Sequence, residues 1–237
     1  MTVDEAPASG TLEEPQVEAM FDRIAGVYDR LNSVMTAGLH HKWRRRAADL
    51  AAVGPGARVL DVATGTGDLA IELAPRVKPD GEVVGCDFSE QMLAIARKKA
   101  PYIAFEQANA LALPYEDATF EAATVGFGAR NFSDLDQGLR EMTRVLIPGG
   151  RVVILEMTTP TKPPLSTFYS AWFDRVVPLL GKAAGDANAY SYLPNSVKRW
   201  PGPHELAARM DAVGLTKIRY VLTAGGIIAM HVGEKPA

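Results

Sequence analysis

The sequence predicts an α/β protein: a seven-stranded mixed sheet, mostly parallel, with helices on both faces. Three observations lead there. Short β-rich runs alternate with helical stretches through the middle of the chain. A glycine turn joins the first of those runs to its helix. Two closely spaced runs at the end make an antiparallel hairpin.

Each element follows from local pattern. Residues 1–16 are acidic and polar, and are expected to be a disordered tail ahead of a single domain over 17–237. Apolar residues at Val17, Met20, Phe21, Ile24, Val27, Tyr28 and Leu31 recur at helical spacing and predict a helix over 17–32. A second helix is expected over 39–52. The two together, within 17–52, read as a helical cover laid over a later site. Strands are expected at 58–63, 82–86, 102–106, 122–127 and 151–156. Helices lie between them: one from Asp68, one over 89–100 with Ser89 as its N-cap, and one over 134–147 stopped by Pro148-Gly149-Gly150. The pattern changes after Pro160. The stretch 164–182 reads as an amphipathic helix, with shorter helical pieces at 190–199 and 204–213, so 160–213 forms a post-sheet lid. Strands at 216–222 and 227–232, separated by little more than Ala224-Gly225-Gly226, complete the sheet.

Composition narrows the function classes. A chain of 237 residues buries enough surface to need no staple. Its single cysteine, Cys86, excludes an internal disulfide framework and points to a reducing, cytoplasmic setting. A net charge of −3 gives no global attraction to nucleic acid, and no nucleic-acid partner is expected. The amino terminus lacks the basic start and apolar run of a signal peptide, and no apolar stretch reaches the roughly 18–20 residues that span a bilayer. His40 and His41 are adjacent, so their side chains are expected to diverge on a helix. No metal is assigned.

The sharpest signal is the run from Val59 to Asp68, VLDVATGTGD. Gly65 and Gly67 let the backbone turn tightly and approach a ligand. The helix that follows aims its N-terminal N–H groups at the bound molecule. Asp87, twenty positions after Gly67, ends the second strand, where a carboxylate accepts both hydroxyls of a ribose. Asn109-Ala110 follows the third strand, where an adenine edge would lie. This Rossmann-like arrangement fits nicotinamide dinucleotides as well as methyl donors, since Ala70 occupies the third position of the dinucleotide fingerprint and that fingerprint tolerates alanine. Two features favour methyl transfer. Asp61 offers a carboxylate to a cationic ligand, and the terminal hairpin departs from an all-parallel sheet.

Longer motifs then resemble the methyltransferases of menaquinone and ubiquinone biosynthesis. They are Phe21-Asp22-Arg23-Ile24-Ala25 with Tyr28-Asp29; Gly38-Leu39-His40 with Trp43; Gly65-Thr66-Gly67-Asp68; Gln107-Ala108-Asn109-Ala110 with Leu113-Pro114; Phe127-Gly128-Ala129-Arg130-Asn131; Arg144-Val145-Leu146-Ile147-Pro148-Gly149-Gly150; Tyr192-Leu193; and Leu222-Thr223-Ala224-Gly225-Gly226. The resemblance spans about 17–235. It implies a class I S-adenosylmethionine-dependent methyltransferase fold and C-methylation of a polyprenylated quinol. Carried over, the family's contacts to S-adenosyl-L-methionine fall on Thr66, Asp87, Asn109 and Ala110. A further contact, usually serine, falls on Gly126, which has no hydroxyl. The short acidic tail and the chain length resemble the menaquinone-only members, which favours demethylmenaquinol over a ubiquinone precursor.

Methylating carbon requires a ring made nucleophilic by loss of a proton from a hydroxyl of reference pKa about 10, so a base or a stabilising charge is needed. Arg130 and Asn131, after the fourth strand, are candidates to stabilise and orient that phenolate, with a structural ion pair as the bland reading of Arg130. Asp29 is a candidate base. Tyr28, Tyr190, Tyr192 and His231 are candidates to line the quinol pocket, though tyrosines and a lone strand histidine are more often packing residues. A polyprenyl substrate lives in the bilayer. The cluster Lys42, Arg44, Arg45 and Arg46 suits anionic lipid at the inner face of the cell membrane. The apolar stripe Leu165, Phe168, Tyr169, Trp172, Phe173, Val176, Val177 and Leu180 suits a tail groove or a homodimer contact.

Overall fold

A computed structural model describes residues 14–160, 163, 166–167 and 196–237. Among these, α1 (Glu14–Met35) and α2 (Leu39–Ala51) precede β1 (Arg58–Val62). Then follow α3 (Asp68–Val77), β2 (Glu82–Asp87), α4 (Glu90–Lys99), β3 (Ala104–Gln107), β4 (Phe120–Gly126), α5 (Leu135–Arg144), β5 (Leu146–Met157), α6 (Pro203–Ala212), β6 (Thr216–Thr223) and β7 (Ile228–Glu234). The strands form one seven-stranded sheet in the order β3-β2-β1-β4-β5-β7-β6. The first five are parallel, and β7 runs antiparallel between β5 and β6. The expected mixed sheet with a terminal hairpin is therefore present.

Alternation along each strand divides the core in two. Val59, Val83, Ala122, Val153 and Met230 meet α2, α3 and α4 on one face. Leu60, Val84, Ala123 and Ile154 meet α5 and α6 on the other. Burial on both faces explains why the strands read as short, nearly continuous apolar runs. The strand order reverses between β1 and β4, which creates a crevice at their carboxyl ends. α1 packs against α4 at that edge. Ser89 caps α4 by accepting the N–H of Met92 at 3.2 Å, as its position before the helix predicts.

Several boundaries differ from expectation. Glu14, Pro15 and Gln16, expected to lie in the tail, belong to α1. β3 starts at Ala104 because Tyr102 is in a turn, exposed, with the Lys78 ammonium over its ring. Pro148-Gly149-Gly150 does not open the fifth strand; it lies inside it. β5 begins at Leu146, opposite Phe120, and the register shifts before Arg151 pairs with Ala122. The proline and glycines thus make a bulge, where a missing ladder donor and a φ of +80° at Gly149 are tolerated. The predicted helix over 164–182, its apolar stripe, and the Tyr190 and Tyr192 pocket positions lie outside the described residues, apart from Ser166 and Thr167.

Candidate active site

The crevice at the reversal point opens into a cleft. Its floor comes from the ends of four neighbouring strands. Ala108, Asn109, Ala110 and Leu111 follow β3; Asp87 ends β2 and Phe88 follows it; Asp61 lies near the end of β1 and Ala63, Thr64, Gly65 and Thr66 follow it; Gly126 ends β4, and Phe127, Gly128, Asn131 and Phe132 come after it. α1 contributes Val17, Phe21 and Tyr28, and α2 contributes Arg44. Both α1 and α2 therefore place side chains beside the glycine loop.

Two buried carboxylates define the polar side. Asp61 sits at the end of β1, facing α3. Its Oδ2 accepts from the Thr64 hydroxyl at 2.6 Å and its Oδ1 from the Thr124 hydroxyl at 2.7 Å, Thr124 being its register partner on β4. Asp87 accepts the Gly65 N–H at 2.8 Å on one oxygen and the Ser89 N–H at 3.0 Å on the other. Burial raises both carboxyls to about 6, against the hydrogen bonds that favour their charged forms. Immediately before Asp87, burial pushes the thiol of Cys86 far above its ordinary range.

The glycine loop has the geometry its residues demand. Gly65 and Gly67 have φ of +57° and +83°. A Cβ at Gly65 would meet no atom within 4 Å, whereas one at Gly67 would lie 2.8 Å from the Phe105 ring. Strain is not confined to glycines. Ala63, just past β1, and Phe127, just past β4, also have positive φ, at 49° and 62°. Both flank the reversal point and both line the cleft. At Gly126, an added Cβ would meet the Leu69 side chain at 3.2 Å and that of Leu155 at 4.0 Å.

α1 is fastened across this loop by two of its carboxylates. The Thr66 hydroxyl donates to Asp29 Oδ1 at 2.6 Å, and the Ser89 hydroxyl donates to Asp22 Oδ1 at 2.6 Å. Lys99 of α4 bonds Asp29 at 2.9 Å and also pairs with Asp68 at the start of α3. Asp29, the candidate base, is thus held in an ion pair.

The remaining candidates separate. Asn131 and Tyr28 line the cleft. Arg130 does not; its guanidinium is buried against Glu156, with Nη1 donating to Oε1 at 2.7 Å and to the Phe127 carbonyl. His231 is fully buried at mid-β7 on the α5–α6 face, bonded through Nε2 to the Pro203 carbonyl at 2.8 Å and stacked on Tyr220, away from the cleft. His40 and His41 do not diverge: their rings lie 3.9 Å apart. Arg44 is not part of an exposed basic face. It is 5% exposed and lines the cleft, while Lys42, Arg45 and Arg46 face solvent. Phe88, Met92 and Phe132, which supply apolar walls together with the motif residue Phe127, were not singled out by motif. Phe88 directly follows β2, and that position was the available signal.

The chain matches the ubiE/COQ5 methyltransferase family over residues 10–235. The chain belongs to that family. Among similar proteins, the demethylmenaquinone methyltransferase of Thermus thermophilus is 48% identical over 92% of this chain and 100% of its own length. That of Deinococcus radiodurans is 47% identical over 99% and 100%. A solved structure of an S-adenosylmethionine-dependent methyltransferase from Thermotoga maritima superposes with a TM-score of 0.66 over 92% of this chain and 98% of that one, at 19% identity. That similarity places the ubiE/COQ5 chain in the class I methyltransferase fold.

Proposed function

We propose that this chain transfers a methyl group from S-adenosylmethionine to a ring carbon of a polyprenylated quinol, converting demethylmenaquinol to menaquinol. One observation carries the cofactor assignment: a buried carboxylate, Asp87, faces the glycine loop at the end of β2, on the floor of a cleft walled by Phe88 and Met92. The residues that line the cleft offer the donor the right groups. Asp87 would take the ribose hydroxyls, the backbone around Asn109 and Ala110 the adenine edge, and Asp61 the positive charge. Gly126 contributes backbone only. When bound, S-adenosylmethionine supplies a methyl group on a sulfonium, whose leaving group is a neutral thioether needing no acid. The substrate assignment follows the names of the curated relatives.

This chain's own residues would do the rest. Asn131 faces the cleft from the turn after β4 and would orient the ring hydroxyl. Tyr28 would close the site from above. Arg130 acts as a positioning residue: with Glu156 it ties the turn at Ala129–Asn131 to β5. Apolar walls exclude water and strengthen every charge interaction within.

The deciding test is transfer of radiolabelled methyl to a short-chain demethylmenaquinol, run beside a demethylated ubiquinol precursor. Label is expected in the naphthoquinol. Label only in the ubiquinol precursor overturns the substrate assignment, and label in neither overturns the function. Among the described residues no helix is long and apolar enough to cross a membrane. We assign contact with the anionic inner face of the cell membrane to Lys42, Arg45 and Arg46, which are exposed on α2. Neutralising these three is expected to abolish flotation with anionic liposomes; parent protein that fails to float ends that assignment.

A further inference from the structure

The donor is a zwitterion at its amino-acid end, and the cleft holds a matching pair of charges. We infer that Arg44 of α2 takes the donor's carboxylate, an inference that rests on the cofactor reading above.

Topology fixes which end of the cleft this is. The loop after β3 and Asp87 of β2 occupy one half and account for adenine and ribose. The amino-acid end must then lie over β1 and β4. Arg44 is on that half: its Nη1 is 3.2 Å from Asp68, just past the glycine loop, and its guanidinium carbon lies 5.6 Å from the centre of the Phe127 ring, just past β4. Among the described residues lining the cleft, Arg44 is the one Lys or Arg. Asp61, in the same half, supplies negative charge for the donor's amine as well as for its sulfonium.

Arg44 is held ready for this. Its two polar contacts among the described residues, to Asp68 and to His40 Nδ1, both use Nη1. A guanidinium carries five N–H donors in a planar fork, so two of its three nitrogens are left to meet a carboxylate side-on. The hydrogen-bond chain fixes His40 as well. Ser33 donates its hydroxyl to the Asp29 carbonyl at 2.9 Å, so His40 Nε2 donates to Ser33 at 3.1 Å and its Nδ1 is the acceptor for Arg44. Burial, with Arg44 beside it, lowers His40 to about 4 and keeps it the neutral acceptor this chain requires. An arginine this deeply buried and stacked on an aromatic ring is set for bidentate recognition.

The experiment is a thermodynamic cycle that removes the carboxylate from the ligand and the charge from the protein. Calorimetry measures binding of S-adenosylhomocysteine and of its decarboxylated analogue, which keeps the amine, to the parent, to Arg44→Met and to Arg44→Lys. The parent is expected to prefer the intact ligand by about 30-fold, the scale of a hydrogen-bonded charge pair. Arg44→Met should erase that preference while binding the analogue nearly as the parent does. Arg44→Lys should retain a part of it and serves as the working variant if Arg44→Met fails to fold. An undiminished preference in the variants overturns the assignment to Arg44. Equal weakening of both ligands also overturns it and makes Arg44 a structural support. Parent protein that binds neither ligand overturns the cofactor reading itself, a result distinct from the other two.

Discussion

Replacing Asp61 with asparagine should make the protein more stable at neutral pH and a worse binder of its donor. Asp61 is fully buried, and its carboxyl is raised from an ordinary 3.8 to about 6. The sign follows from linkage. A carboxyl whose folded pKa exceeds its unfolded one stabilises the fold fully below pH 3.8 and loses that contribution as pH rises through 6. At pH 8 the lost contribution is about 3 kcal/mol. Asparagine removes the charge and sacrifices part of the pairing with Thr64 and Thr124, which offsets about 1 kcal/mol. Asp61→Asn should therefore gain about 1–2 kcal/mol in urea denaturation at pH 8, as a higher midpoint at unchanged slope. The gross electrostatic gain should fall by about half at pH 5. Asp87 is raised in the same way but is common to both proteins, so it cancels in the difference. The same variant should lose more affinity for S-adenosylmethionine than for S-adenosylhomocysteine, because only the former carries the sulfonium charge. Lower stability at pH 8, or a gain that does not depend on pH, would refute the reasoning.

Two further outcomes are expected. Arg130→Met leaves Glu156 buried without its ion-pair partner and should cost about 3–5 kcal/mol, and Arg130→Met with Glu156→Leu should recover at least half of that in the same denaturation assay. Gly67→Ala combines a φ of +83° with a Cβ 2.8 Å from Phe105, and should lower stability by about 1–3 kcal/mol and weaken donor binding measured by calorimetry.

What the sequence disclosed was what short-range chemistry controls. The glycine loop, Asp87 at a strand end and the Ser89 cap each depend on a few neighbouring residues, and each stands where the pattern placed it. Arg44 was misplaced because a run of basic residues reads as a solvated face. The helical spacing carried the correct answer: the buried residues of α2 are His40, Trp43, Arg44, Ala47, Ala48 and Ala51, one stripe at three- and four-residue intervals that includes the histidine and the arginine. The partner of Arg130 lies 26 positions away on β5, and that of His231 lies 28 positions back at the start of α6. No local pattern announces either pairing, because both arise when distant strands and helices pack. The proline and glycines at 148–150 marked a break correctly, but only the opposing strand shows that the break is a bulge within β5.

Cys86 gives the molecule a built-in reporter. The thiol is sealed inside β2, one residue from the carboxylate proposed to hold the ribose, and burial holds it in its unreactive form. An alkylating reagent can reach it only when that strand comes away from its neighbours. The rate of modification therefore times the opening of the sheet beneath the binding cleft, and a bound nucleoside that bridges the loops above should slow that clock without touching the sulfur.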